Sequence, residues 1–278
     1  MEKMDFGRYF RKAPPPRAAK FPEGRVGYAV GDIHGRADLL LSMVNLLEGR
    51  LAQDTRPAGP PIVVFLGDYV DRGQQSPAVL DLLLTRLDGF ERHFLMGNHE
   101  QSMLAFLASP LENRGWLAHG GTETLMAYGV QPPPSLGSED AQWLEVAAAL
   151  KAKLPEAHSA FLAGLARYVE LGDYVFVHAG VDPDLALADQ TDTALFWIRD
   201  RFLNDRRTLP QRVVHGHTPS DRPYADPRRI GLDTGAYASG ILTAARFEGE
   251  AVEFLSVMDR AANARTDVSR RRKKARRH

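Results

Sequence analysis

Residues 26–35 read VGYAVGDIHG. Val26–Val30 is a short β-branched and aromatic run that stops at a polar cluster, Gly31-Asp32-Ile33-His34-Gly35. Such a run reads as a strand that delivers polar groups at its carboxyl end. Residues 36–50 (RADLLLSMVNLLEGR) then carry apolar side chains at helical spacing over a broad face. The pattern recurs twice. Residues 62–66 (IVVFL) form a continuous apolar run, as a strand buried on both faces requires, and end on Gly67-Asp68-Tyr69-Val70-Asp71-Arg72-Gly73. Residues 76–88 (SPAVLDLLLTRLD) read as a helix with Ser76 as N-cap and Pro77 in the first turn. Residues 91–96 form a third strand, ending on Gly97-Asn98-His99-Glu100. Strands alternating with helices at roughly 30-residue spacing indicate βαβ units.

Farther along, residues 101–170 read mainly as helical, broken by Gln131-Pro132-Pro133-Pro134-Ser135, and are expected to form a helical cap inserted in one domain. Strand-like Tyr174–Val177 ends at His178-Ala179-Gly180. A helix is predicted near 193–204, and residues 211–214 form a strand that runs into His215-Gly216-His217-Thr218. Residues 229–257 read as antiparallel strands (RIGLDTG, GILTAARF, AVEFLSV) joined by Gly-containing turns. The expected class is α/β, with a parallel start and an antiparallel finish, in a single domain over 26–258.

Composition removes whole chemistries. The 278 residues include no cysteine, which excludes disulfides, thiolate zinc sites, iron–sulfur clusters and a cysteine nucleophile. No apolar run reaches the ~18 residues of a membrane helix, and the first 20 residues lack the apolar core of a secretory signal. A cytoplasmic protein is expected. The balance of 35 basic and 35 acidic residues conceals an asymmetry. Residues 1–25 carry seven basic and three acidic side chains, and residues 259–278 nine and two, which leaves 26–258 with a net charge of −11. The basic N-terminal segment and the basic tail are expected to be solvated and without a core. The tail, ending SRRRKKARRH, suits an anionic partner such as nucleic acid, an anionic membrane or an acidic protein surface.

Five predicted strands thus end in five polar clusters. In open α/β sheets, sites form outside the carboxyl ends of strands. If the first three strands are neighbours, Asp32, His34, Asp68, Asn98 and His99 converge on one crevice. Burying Asp32, Asp68 and Asp71 together is unfavourable through repulsion and desolvation, and a pair of divalent cations removes that penalty. Asp, Asn and His without thiolate suit Mn²⁺, Fe or Zn²⁺ better than Ca²⁺ or Mg²⁺ alone. Two such ions about 3.5–4 Å apart clamp a phosphoryl group and generate a hydroxide nucleophile near neutral pH.

GDIHG, GDYVDRG, GNHE, HAG and GHT, in this order from Gly31 to Thr218, resemble the signature of the phosphoprotein phosphatase branch of calcineurin-like metallophosphoesterases. Leu232-Asp233-Thr234-Gly235-Ala236 is similar to that family's C-terminal strand region. The cap and the basic ends lie outside the resemblance. It implies two mixed β-sheets packed as a sandwich flanked by helices. It also implies a dimetal centre in which Asp32 and His34 hold the first ion, Asp68 bridges, and Asn98, His178 and His217 complete the second. By the same resemblance His99 is the general acid, oriented by Asp71. Arg72 and Arg199, the latter in a W-x-R pattern on a helix, bind phosphate. His215 is then structural, His119 lies in a simple turn, Tyr237 stands at the edge of the site, and Glu100 is structural. His93 and His158 have no supporting context.

The symmetrical diadenosine tetraphosphatases read GDLVNRG and GNHD where this chain has Asp71 and Glu100. The implied activity is therefore hydrolysis of phosphoserine and phosphothreonine in proteins, with phosphotyrosine a further substrate, by direct attack of a dimetal-bound hydroxide. The alternatives are a symmetrical dinucleoside tetraphosphate hydrolase, or a binding protein acting through its tail. Against the last, no ligand position is substituted.

Overall fold

A computed structural model describes residues 18–259 and 261. The expectations placed on the basic tail, and on most of the N-terminal segment, fall outside the described residues. Strand β1 (Val26–Val30) runs parallel to β2 (Ile62–Phe65), and β2 runs parallel to β3 (Glu91–Phe94). The other edge of β1 pairs antiparallel with β9 (Ile241–Glu248), which forms a hairpin with β10 (Ala251–Met258). A second five-stranded sheet has the order β4 (Tyr168–Leu171), β5 (Tyr174–Val177), β6 (Arg212–His215), β8 (Arg229–Gly231), β7 (Tyr224–Ala225), with β5, β6 and β8 parallel. Both sheets are mixed, and helices cover their outer faces.

The two-residue period of the strands produces the layers. From the first sheet, Ala29, Val64, Leu66 and Phe247 point into a core shared with Tyr174, Phe176, Val214 and Ile230 of the second. The alternate residues Val26, Tyr28, Val30, Val63 and Phe65 face the opposite way. There they meet α1 (Ala37–Asp54), α2 (Ser76–Thr85), α3 (Asn98–Ala108), α4 (Gly121–Ala127), α5 (Asp140–Lys153) and α6 (Glu156–Ala163). On the far side of the second sheet, Val175, Val177 and Val213 pack against α7 (Asp192–Trp197) and α8 (Asp200–Leu203). The helical segment expected as a cap contributes Phe106, Trp116, Leu125, Trp143 and Leu162 to the same core as α1 and α2. It extends the helical layer.

Several boundaries depart from expectation for identifiable reasons. Helicity in the 101–170 region ends at Ala163, and Tyr168–Leu171 pairs antiparallel with β5 as an edge strand. The run 229–257 divides between sheets: β8 joins β6 in the second, while β9 and β10 extend the first. β3 stops at Phe94, because Leu95 turns to a bridge with Ala166. Ser76 does not cap α2, since its hydroxyl accepts from the Asp71 amide at 3.3 Å and contacts Thr124. Among the described residues no helix is long and apolar enough to cross a membrane.

Beneath the first sheet, Asp54 accepts hydrogen bonds from Tyr28 Oη and, at 2.7 Å, from Arg246. Burial opposes charge on this carboxyl, but the bonds from Arg246 and Tyr28 outweigh it and hold the pKa below the usual aspartate value. A depressed carboxyl stabilises the fold fully above its unfolded pKa of about 3.9, and that contribution is lost as pH falls through the folded value. Asp54→Asn is therefore expected to lower stability by about 1–3 kcal/mol at neutral pH. The deficit should shrink below about pH 4, where the wild type loses the same contribution. Urea unfolding across pH checks this, and a deficit that does not vary with pH would count against it.

Candidate metal centre

The carboxyl ends of β1, β2, β3, β5 and β6, drawn from both sheets, meet at one place. The loops there are strained. Of six non-glycine residues with positive φ among the described residues, five are His34, Asp68, Asp71, Arg72 and His217, at 48–71°. Left-handed backbone at such residues costs about 1–3 kcal/mol each and persists only where the surroundings over-determine it. Close packing leaves no room for side chains at the neighbouring glycines. A Cβ on Gly97 would stand 2.2 Å from Asp68 Oδ1, and one on Gly216 would stand 2.0 Å from Asp32 Oδ1. Glu100 ties the second loop to the third. Its carboxyl accepts from the backbone N–H groups of Asp68, Tyr69, Val70 and Gly97 at 2.7–3.1 Å. Burial and Asp68 push its pKa up to about 8 against these amides, yet all four contacts are accepting, the bonding of a carboxylate.

Asp68 is the centre of the constellation. His34 Nε2 lies 3.4 Å from its Oδ2 and His178 Nε2 lies 3.4 Å from its Oδ1. His99 Nε2 stands 3.9 Å from Oδ2. Two buried groups suited to a metal share this residue: His34, Asp68 and His99, and Asp68, His178 and His217. Asn98 Oδ1 meets His178 Nε2 at 2.9 Å and His217 Nδ1 at 2.8 Å. Asp32 Oδ2 accepts from the His217 amide at 2.9 Å, joining the first loop to the last.

The protonation pattern tests whether cations fit. His34 Nδ1 donates to the Val70 carbonyl at 3.0 Å and His178 Nδ1 to the Leu66 carbonyl at 2.8 Å. A carbonyl can only accept, so in each neutral ring Nε2 is unprotonated and faces Asp68; that of His178 meets no donor, while that of His34 accepts from Arg72. Burial lowers the pKa of His34 to about 3 and of His217 to about 3, and lowers that of His178. These rings are neutral at pH 7. In the second group the bare His178 nitrogen thus faces two acceptor oxygens, Asn98 Oδ1 and Asp68 Oδ1. Asp32 Oδ1 and His217 Nε2 are buried without a hydrogen-bond partner among the described residues. Lone pairs converging with no proton between them are the environment a divalent ion satisfies, and the Asp, Asn and His donors fit Mn²⁺, Fe or Zn²⁺.

His99 differs from the other rings. Burial works against its cation, but Asp68 and the hydrogen bond to Asp71 prevail and raise its pKa above the ordinary value. Its Nδ1 lies 2.7 Å from Asp71 Oδ2. Asp71 is fully buried, and its carboxylate also accepts from Trp116 Nε1 at 2.7 Å and Thr124 Oγ1 at 2.6 Å. Arg72 Nη1 donates to His34 Nε2 at 3.1 Å, and its guanidinium lies 4.8 Å over the exposed Tyr237 ring, which itself packs edge-on against His34.

Arg199 lies in the break between α7 and α8, not within a helix as expected. It is exposed and its side chain has no bonded partner among the described residues, while its charge acts on both His178 and His217. Outside the centre, His215 bonds Arg229 and the Gly216 carbonyl, and His158 is buried between Tyr128 and Asp81. His93 pairs with Glu91 on β3, and His119 is exposed beside Gly120.

Three features escaped the sequence reading. Thr124 and Trp116, which clamp Asp71, carry no signal because they lie 53 and 45 residues away. Asp233, buried against Asp32, has a legible one: an acid between two nearby glycines just past a strand end, as Asp32 is between Gly31 and Gly35. Burial pushes its carboxyl up to about 6.

A mixed two-sheet sandwich with this constellation at its strand ends defines a class, and sequence comparison agrees. The calcineurin-like phosphoesterase family matches residues 28–242, and the chain belongs to that family. Its members carry a dinuclear metal centre, which makes this chain a metallophosphoesterase. Among individual relatives, the asymmetrical bis(5'-nucleosyl)-tetraphosphatase PrpE of Geobacillus sp. (strain WCH70) is 26% identical over 234 residues, covering 78% of this chain and 89% of that protein. Serine/threonine-protein phosphatase 1 of Salmonella typhimurium is 29% identical over 226 residues, covering 80% and 91%. A crystal structure described as a putative diadenosine tetraphosphatase superposes with a TM-score of 0.56 at 18% identity, over 88% of this chain and 97% of that one.

Proposed function

We propose that this protein is a metal-dependent phosphomonoesterase acting on phosphoserine and phosphothreonine in proteins, with phosphotyrosine as a further substrate. The observation that carries the reading is the His99–Asp71 pair. An alkoxide is a poor leaving group and gains most from a positioned proton donor. Held by three donors, Asp71 keeps the His99 ring oriented with Nδ1 engaged, so Nε2 can present a proton to the leaving oxygen. Arg72 and Arg199, the latter without a side-chain partner among the described residues, would grip phosphate oxygens, as guanidinium forks do. Asp32, His34, Asp68, Asn98, His178 and His217 would hold two divalent ions, with Mn²⁺ the expected pair. Bound there, the ions would supply Lewis acidity to the phosphoryl group and acidify water.

A second reading is asymmetrical cleavage of dinucleoside tetraphosphates, in place of the symmetrical cleavage considered from the motifs. It draws support from the relatives so named and from Tyr237, exposed beside Arg72 where a base could stack. An Mn²⁺-replete assay with aryl phosphate, phosphoserine and phosphotyrosine peptides and diadenosine tetraphosphate in parallel separates the two. Preference for the dinucleotide by kcat/KM would overturn the first. An anionic partner for residues 270–278, outside the described residues, belongs to the same proposal. Salt-sensitive nucleic-acid binding that is lost on deleting 265–278 is the expected result, and binding unchanged by the deletion would refute it.

A further inference from the structure

The sixth strand end belongs to β8, which hands on to Leu232-Asp233-Thr234-Gly235. Its backbone lies tight against Gly31. A Cβ there would stand 2.4 Å from the Leu232 carbonyl oxygen and 3.4 Å from the Asp233 nitrogen. This backbone approach sets Asp233 beside Asp32, and the two buried carboxyls interact with each other and with Asp68. Asp32, Asp68 and Asp233 are only 2%, 2% and 3% exposed. Carboxylates in contact repel, and burial removes the water that would screen them.

The local hydrogen bonding does not explain the acid. Asp233 Oδ1 accepts from the Gly235 amide at 2.8 Å, where Gly235 turns with φ of 63°. An asparagine or serine would accept that bond equally well. Asp32, meanwhile, uses Oδ2 for the His217 amide and leaves Oδ1 buried without a partner, as His217 leaves Nε2. Asp32 Oδ1 is thus an unpartnered buried oxygen on the residue that Asp233 adjoins, and Asp233 is a further carboxyl that the ligand set expected from the motifs does not include.

We propose that Asp233 is a positioning residue of the metal centre: a carboxylate that backs Asp32, orients it toward its ion and adds negative charge at that position. The inference rests on the metal-centre reading and not on the choice of substrate. The charge is unfavourable in the metal-free protein and favourable once a cation is present, whereas a carboxylate kept only for the turn would show neither effect.

The test uses the full chain, stripped of metal by chelation and titrated with Mn²⁺ calorimetrically, with thermal melting of the metal-free protein alongside. Asp233→Asn keeps the acceptor for Gly235 and removes the charge. Its Mn²⁺ affinity is expected to fall by about tenfold or more at one site, the usual effect of losing an outer partner of a ligand. Its metal-free form is expected to melt above metal-free wild type, because an amide can donate to Asp32 Oδ1. Unchanged Mn²⁺ affinity, or a lower metal-free melting temperature, overturns the proposal. Asp233→Ser, which also retains an acceptor, is expected to show the same loss of affinity. Failure of both variants to fold would assign Asp233 to the fold alone and likewise overturn it. A wild type that binds no Mn²⁺ defeats the metal centre itself, whereas a wild type that binds beside variants of unchanged affinity defeats only the role of Asp233.

Discussion

Asp68→Asn is expected to reduce turnover by about 10³-fold or more and to remove most binding of divalent ions. Both groups suited to a metal share Asp68, so one substitution reaches both positions. Burial alone would raise its pKa, yet the surrounding histidines, which gain charge as the pH falls toward its titration, hold it well below the usual aspartate value. It is an anion, and the amide has the same shape without the charge. Several kcal/mol of charge stabilisation is the typical contribution of metal chemistry, and about 4 kcal/mol corresponds to about 10³ in rate. The backbone at φ 54° is set by Glu100 and by the Gly97 contact, so the variant should fold. Metal content by elemental analysis, far-ultraviolet circular dichroism and steady-state rates together check this. A folded variant with normal metal content and activity would remove Asp68 from the centre.

His99→Asn is expected to slow turnover of a phosphoserine peptide by about 10²-fold or more, while metal content stays near that of the wild type. The deficit should be much smaller for an aryl phosphate, whose leaving group needs less protonation. Selectivity of this kind separates a proton donor from a ligand. His99 lies in one of the two metal-suited groups, but its Nε2 is 3.9 Å from Asp68, and its other nitrogen is committed to Asp71. If the variant instead loses metal and both substrates suffer equally, His99 is a ligand and the assignment to proton transfer fails.

Much of this was legible beforehand because the informative features are local. A strand that ends in a glycine-marked polar cluster, as β1 does at Gly31-Asp32-Ile33-His34, announces both its boundary and the chemistry at that boundary. Five such clusters in one chain contain Asp32, His34, Asp68, Asn98, His99, His178 and His217, and are found without any knowledge of sheet order. Arg199 was legible by type and neighbourhood, but not by conformation. Its helix breaks at that residue, and no periodicity reports a break of one position in so short a segment. In the 229–257 run the antiparallel β9–β10 hairpin is as expected, but β8 is not its partner, for a similar reason. Strand character is local, whereas the choice of partner strand is not, and β8 finds β6 across the second sheet while β9 finds β1.

The sequence by itself determined the donor chemistry, the strand-end positions and the exclusion of thiolate mechanisms, because residue type and short-range pattern suffice for those. Tertiary structure alone decided which groups touch. It placed Thr124 and Trp116 on Asp71, the His217 amide on Asp32 across 185 residues, and Asp233 on Asp32. Such contacts arise from the packing of two sheets whose inner faces share a core. Loops far apart in the chain meet only when that core closes, and no spacing in the sequence records the meeting.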